Sequence, residues 1–107
     1  MLTMIFRNKI RHTSFNITPE AIWILNNIVI TCSISKSDYI EALLLTRKGK
    51  EDPIYKDFGK KGGTQTVMLS QTARKFLEEK AKELKIGMGD YIEILIRAEI
   101  CTNNLTK

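Results

Sequence analysis

Ser14 and Asn16 alternate with Phe15 and Ile17, and 52 residues further on Thr66 and Met68 alternate with Val67 and Leu69. Polar groups on one side of a period-two stretch, with branched or aromatic residues on the other, describe a strand with one buried face and one exposed face. His12 and Thr64 stand at the two strand starts. The chemistry on offer is hydrogen bonding, not reaction. His12 is the only histidine of the chain, and its two cysteines, Cys32 and Cys101, are too few and too scattered for a metal site or a disulfide framework. There is no glycine-rich phosphate loop and no carboxylate cluster to mark a cleft, so neither an enzyme nor a cofactor is expected.

The two stretches belong to a longer repeat. At an offset of 52, residues 12–45 align with 64–97 without a gap, and eight of the 34 pairs are identical. Among them, Asp38-Tyr39-Ile40-Glu41 falls on Asp90-Tyr91-Ile92-Glu93, Ala21 on Ala73 and Leu25 on Leu77. A unit of about 35 residues cannot bury an apolar face alone, so the two copies are expected to share one core.

Each copy reads strand, helix, helix. Thr18-Pro19-Glu20 gives an N-cap, a proline at the first helical position and an acid in the first turn, and Ser70 caps the second copy. The first helices are expected to run to about Cys32 and Lys85. After a short break, Ser35-Lys36-Ser37-Asp38 fits a capping box. Its counterpart is Gly87-Met88-Gly89-Asp90, where glycine can cap and also admits close backbone approach. The second helices, expected over 36–47 and 88–100, are apolar over most of their surface and so belong at the centre of the core.

The 107 residues make one domain: repeat 1 over 12–47, a basic linker over 48–63 and repeat 2 over 64–101. The formal charge of +5 is concentrated ahead of each repeat: residues 1–18, with Arg7, Lys9 and Arg11, and residues 46–63 each carry a net +3. That is the charge placement of two arms beside a polyanion. No run of 18 apolar residues provides a membrane span. The apolar start followed by basic residues is the wrong order for a secretion signal, and the cysteines read as buried thiols in a reducing cytosol.

One five-residue strand per copy has no partner for its backbone groups except the strand of the other copy. Antiparallel pairing gives a two-stranded ribbon, with Phe15, Ile17, Val67 and Leu69 against the helices. Its outer face carries His12, Ser14, Asn16, Thr64, Thr66 and Met68. The expected fold is therefore mainly α with a two-stranded antiparallel ribbon.

With strand and cap in Ser14–Thr18 and Thr66–Ser70, two helices behind each, and the whole pattern repeated, the chain resembles the ribbon-helix-helix proteins, the group of Arc, MetJ and CopG. That family normally dimerises through its ribbon. This chain resembles two such units fused in one polypeptide, as in the TraY type of relaxosome protein. The resemblance implies binding of double-stranded DNA, with the ribbon in the major groove, and a transcriptional repressor as the leading role. It implies base-facing roles for His12, Ser14, Asn16, Thr64, Thr66 and Met68. The starts of the second helices, Ser35, Lys36 and Ser37 and Gly87, Met88 and Gly89, would face phosphates, with Lys9, Arg11 and Lys61 adding attraction. The family often has Arg, Lys or Gln among the outward strand residues, and here there is none. Asn16 alone can make a bidentate pair with adenine, and Met68 offers apolar contact, so modest base discrimination or reliance on DNA shape is expected.

The copies diverge on their first helices. Ile22, Trp23, Ile28 and Ile30 stand where copy two has Arg74, Lys75, Lys80 and Lys82. Ile22, Trp23 and Ile30 are expected to form a contact surface. Its cover is Met1–Phe6, the linker residues Ile54, Tyr55 and Phe58, a second copy, or a toxin-like partner. An antitoxin-like or relaxosome-accessory role acting through helix 19–32 is the alternative to repression. The short segment after the second helix, Thr102–Lys107, counts against the antitoxin reading.

Overall fold

The computed structural model describes residues 11–47 and 58–106, with side chains described for 12–47 and 58–98. Lys9, the segment Met1–Phe6, Ile54, Tyr55 and the side chains of Arg11 and Cys101 lie outside this description. The order is β1 (Arg11–Ile17), α1 (Pro19–Cys32), α2 (Lys36–Thr46), β2 (Gly63–Leu69), α3 (Gln71–Leu84) and α4 (Met88–Thr106). The molecule is mainly helical, with one two-stranded antiparallel sheet.

The pairing register is centred on one pair of equivalent residues. Ser14 faces Thr66, its counterpart at the 52-residue offset, and on either side His12 faces Met68 and Asn16 faces Thr64. Because side chains alternate across a strand, this register sends Phe15, Ile17, Val67 and Leu69 inward together, and all four are buried. One apolar cluster lies beneath them. It takes Ala21 and Leu25 from α1, Ile40, Leu43 and Leu44 from α2, Ala73 and Leu77 from α3, and Tyr91, Ile92, Leu95 and Ile96 from α4. A ribbon of two strands is marginal in water, and this helical backing is what stabilises it.

The helix ends follow from local chemistry. Thr18 Oγ1 accepts from the Ala21 amide at 3.2 Å, and Ser70 Oγ accepts from the Ala73 amide at 3.1 Å. Each satisfies one of the unpaired donors of a helix start. Both first helices end in a left-handed residue, Ser33 (φ 53°) and Lys85 (φ 60°). The following amides, of Ile34 and Ile86, return to the Val29 and Ala81 carbonyls at 3.2 and 3.0 Å. This turn redirects the chain into the second helix within three residues. Ser35 caps α2 by accepting from the Asp38 amide at 3.0 Å. In the second copy the Gly87 amide donates to Asp90 Oδ2 at 3.2 Å.

Three expectations need adjusting. The strands begin at Arg11 and Gly63, so the ribbon is longer than the alternating stretch alone and includes His12 and Thr64. Helix α4 continues six residues beyond Ile100, to Thr106, through a segment with no glycine or proline to stop it. Cys32 is exposed rather than buried: it is the last residue of α1, at its solvent end.

The chain enters β2 by a fixed route. The Gly62 amide donates to the Ile17 carbonyl at 2.7 Å, and a Cβ on Gly62 would lie 2.6 Å from Pro19 Cγ. Phe58 is half-buried and stacks on the Arg97 guanidinium, 3.9 Å from ring centroid to Cζ. Phe58 therefore packs near the start of α1, where Arg97 meets Glu20, and leaves Trp23 67% and Ile30 76% exposed.

Candidate nucleic-acid interface

The outer face of the ribbon is polar and solvent-facing. His12, Ser14, Asn16, Thr64 and Thr66 are exposed and Met68 is half-exposed. At its centre Ser14 Oγ and Thr66 Oγ1 are 3.0 Å apart, and beside them Thr64 Oγ1 donates to Asn16 Oδ1 at 2.7 Å. These cross-strand bonds hold the polar groups in one plane. They also occupy one of the two acceptor positions of the Asn16 oxygen, so a bidentate contact from Asn16 to adenine would use the other.

The second helices start at the two edges of the ribbon. The α2 start lies along β2: Ser37 Oγ accepts from the Met68 amide at 2.9 Å, and Lys36 Nζ donates to Gln65 Oε1 at 2.8 Å. The α4 start lies along β1 and approaches more closely. A Cβ on Gly89 would fall 1.9 Å from the Asn16 carbonyl oxygen, so only glycine fits there. The difference follows from sequence: Ser37 reaches the strand with a side chain, while its counterpart Gly89 lets the helix backbone touch it.

An open cleft of about 260 Å³ lies between β1 and the α4 start. Ser14, Asn16, Lys61, Gly87, Met88 and Gly89 line it, so residues expected to face bases and residues expected to face phosphates share one surface. Asp90 lines it too. Its Oδ2 occupies the Gly87 amide and its Oδ1 pairs with Lys61. At the other edge Ser35 is exposed, while Lys36 and Ser37 are half-buried and engaged with β2. Of the basic residues expected at phosphates, Lys36 and Lys61 therefore have intramolecular partners.

Sequence reasoning missed the groups that hold this surface in register. Glu93, 1% exposed, accepts from the Thr18 amide at 2.9 Å and from Thr18 Oγ1 at 2.7 Å. Glu41, 8% exposed, does the same to Ser70, at 2.9 and 2.6 Å. Each second helix thus caps the first helix of the other copy, directly behind the end of its strand. Each carboxylate takes both donors of a cap residue at a helix start, and these bonds compensate the burial. The signal was present: an acid in an apolar helix, identical in both copies, calls for a buried partner.

Glu93 has a second partner in Arg97, whose Nε donates to Glu93 Oε2 at 3.0 Å and whose Nη2 donates to Glu20 Oε1 at 2.8 Å. Burial alone would lower the Arg97 pKa, but these two carboxylates outweigh it and hold the guanidinium above its ordinary value. Arg74 of α3 was also unexpected here. It donates from Nη1 to the His12 carbonyl at 3.0 Å and pairs with Glu78, tying α3 to the start of β1.

No helix among the described residues is long and apolar enough to cross a membrane. No family model, curated protein or solved structure matched the chain.

Proposed function

We propose that the chain is a pair of fused ribbon-helix-helix units that binds double-stranded DNA with its ribbon in the major groove, most simply as a repressor associated with the nucleoid. One observation carries the reading: an exposed polar ribbon face is flanked at both edges by the starts of α2 and α4. A two-stranded ribbon fits the major groove, and hydroxyl and amide groups match base-edge donors and acceptors. Helix starts at the edges suit the phosphates on either side. The net charge of +5 has the sign that favours a polyanion.

Phosphates would compete with Asp90 for Lys61, which reduces net affinity without altering sequence preference.

Gel retardation of a random-sequence duplex pool, with a salt titration, tests the reading. Retention that weakens steeply as salt rises is expected; no retention at low salt would refute it. Asn16→Ala should reduce sequence preference more than total affinity, and the paired change Lys9→Ala with Arg11→Ala should do the reverse. Exposure of Trp23 and Ile30 supports a second reading, a protein-binding role for α1 as in an antitoxin or relaxosome accessory. In that case both sets of variants would leave DNA retention unchanged.

A further inference from the structure

Gln65 is polar at a position where its strand faces inward. On β2 it alternates with the buried Val67 and Leu69, and it stands opposite Phe15 in the ribbon register. It is half-buried, at the edge of the core rather than in it. A polar group so placed needs a hydrogen-bond partner. It has one in Lys36 Nζ, which donates to Gln65 Oε1 at 2.8 Å.

The neutrality of that partner decides what Lys36 can still do. An ammonium has three donors, so one bond to an amide leaves two, and an uncharged amide does not cancel the positive charge. A long, flexible side chain is thereby ordered while it keeps its capacity for an anion. Lys61, at the other edge of the ribbon, pairs with the Asp90 carboxylate instead, and an anion there must compete with that carboxylate.

Lys36 is also in place. It is the first residue of α2, and the neighbouring Ser37 Oγ fixes that helix start to β2 by accepting from the Met68 amide at 2.9 Å. The ammonium therefore lies where the helix start meets the strand edge. The second copy has no such pair. At the 52-residue offset Lys36 becomes Met88 and Gln65 corresponds to Thr13. Thr13 is buried and its hydroxyl accepts from Arg74 Nη1 at 3.3 Å.

We propose that Gln65 is a positioning residue: it holds Lys36 at the β2 edge as a prepared phosphate contact, so the α2 edge grips a DNA backbone more strongly than the α4 edge. This role rests on the DNA-binding reading and makes its two edges unequal. Holding Lys36 in advance removes the cost of ordering it on contact.

Gel retardation of a random-sequence duplex pool through a salt series, run as a double-mutant cycle, tests this. Lys36→Met should lower the slope of log affinity against log salt by about 0.9, the loss of one phosphate contact. Gln65→Leu should weaken retention by roughly fivefold, the effect of leaving one side chain to be ordered on binding. In the Lys36→Met background it should have no effect. A Gln65→Leu effect of equal size in both backgrounds means a structural role and overturns the proposal, as does unchanged affinity with Lys36 present. Should Gln65→Leu fold poorly, Lys36→Met against Lys61→Met decides the matter. The first should lower the slope more, and equal losses overturn the proposal. No retention of the unaltered chain at low salt refutes DNA binding itself, and this role with it. Retention with any of the other contrary results leaves DNA binding standing and removes the role of Gln65.

Discussion

Helices α1 and α3 are the same object seen from inside the molecule and different objects seen from outside. Both have 14 residues, start at a hydroxyl cap and end on a left-handed residue. Both bury an alanine and a leucine at matching positions, Ala21 and Leu25, Ala73 and Leu77. Outward, α1 shows Trp23 and Ile30 where α3 shows Lys75 and Lys82. Packing against a shared core keeps Ala21/Ala73 and Leu25/Leu77 identical, while Ile24/Phe76 and Val29/Ala81 around them differ in size. Solvent imposes no such constraint, so the outer face can serve whatever it touches. In a dimer of identical chains the two outer faces would have to change together; in one chain they need not.

The largest effects are expected in the core. Leu25→Ala and Leu77→Ala are both fully buried truncations and should each cost about 3 kcal/mol in denaturant unfolding. Values differing by more than about 1.5 kcal/mol would mean that the inner faces are not equivalent.

The ribbon edges should be unequal. Gly89→Ala forces a methyl into the Asn16 backbone and should cost about 3 kcal/mol. Ser37→Ala removes one hydrogen bond to the Met68 amide and should cost about 1 kcal/mol. Equal effects would remove the distinction between an edge held by a side chain and an edge held by backbone contact.

The crossed caps come next. Glu41→Ala leaves the Ser70 donors unmet and should cost about 2 kcal/mol. Glu93→Ala should cost somewhat more, about 2.5 kcal/mol, because Arg97 loses a partner as well. Thermal or urea unfolding of the two variants checks the order.

The smallest effect concerns binding. Asp90→Asn removes the carboxylate partner of Lys61 and a negative charge from the cleft, so DNA affinity should rise by roughly threefold and depend more steeply on salt. Asp38→Asn, at the other edge, is the control for the general loss of one acid. Equal gains from the two would show that Asp90 has no special place.

Much of this architecture was legible in the sequence, because the signals are local. Period-two alternation gave the strands, hydroxyls before apolar runs gave the caps, and the fixed offset implied that Ser14 and Thr66 are equivalent. Gly89 could be read as a site of close backbone approach, though the approaching group, Asn16, could not. What escaped was long-range: Glu93 meets Thr18 across 75 residues and Glu41 meets Ser70 across 29, and no spacing rule connects them. The burial of Cys32 was misjudged because cysteine is usually interior, whereas position at a helix end decided its environment. The engagement of Lys36 with Gln65 and of Lys61 with Asp90 depends on side-chain reach, which composition does not encode.

In the proposed function two different strands, Ser14 and Asn16 against Thr66 and Met68, read DNA as one ribbon. Selection of bound sites from a random duplex pool by the 107-residue chain decides this. The enriched site should have two unlike halves, with an adenine preference on the Asn16 side that disappears in Asn16→Ala. A strictly palindromic enriched site, or a pool with no enrichment and no retention at low salt, would contradict it.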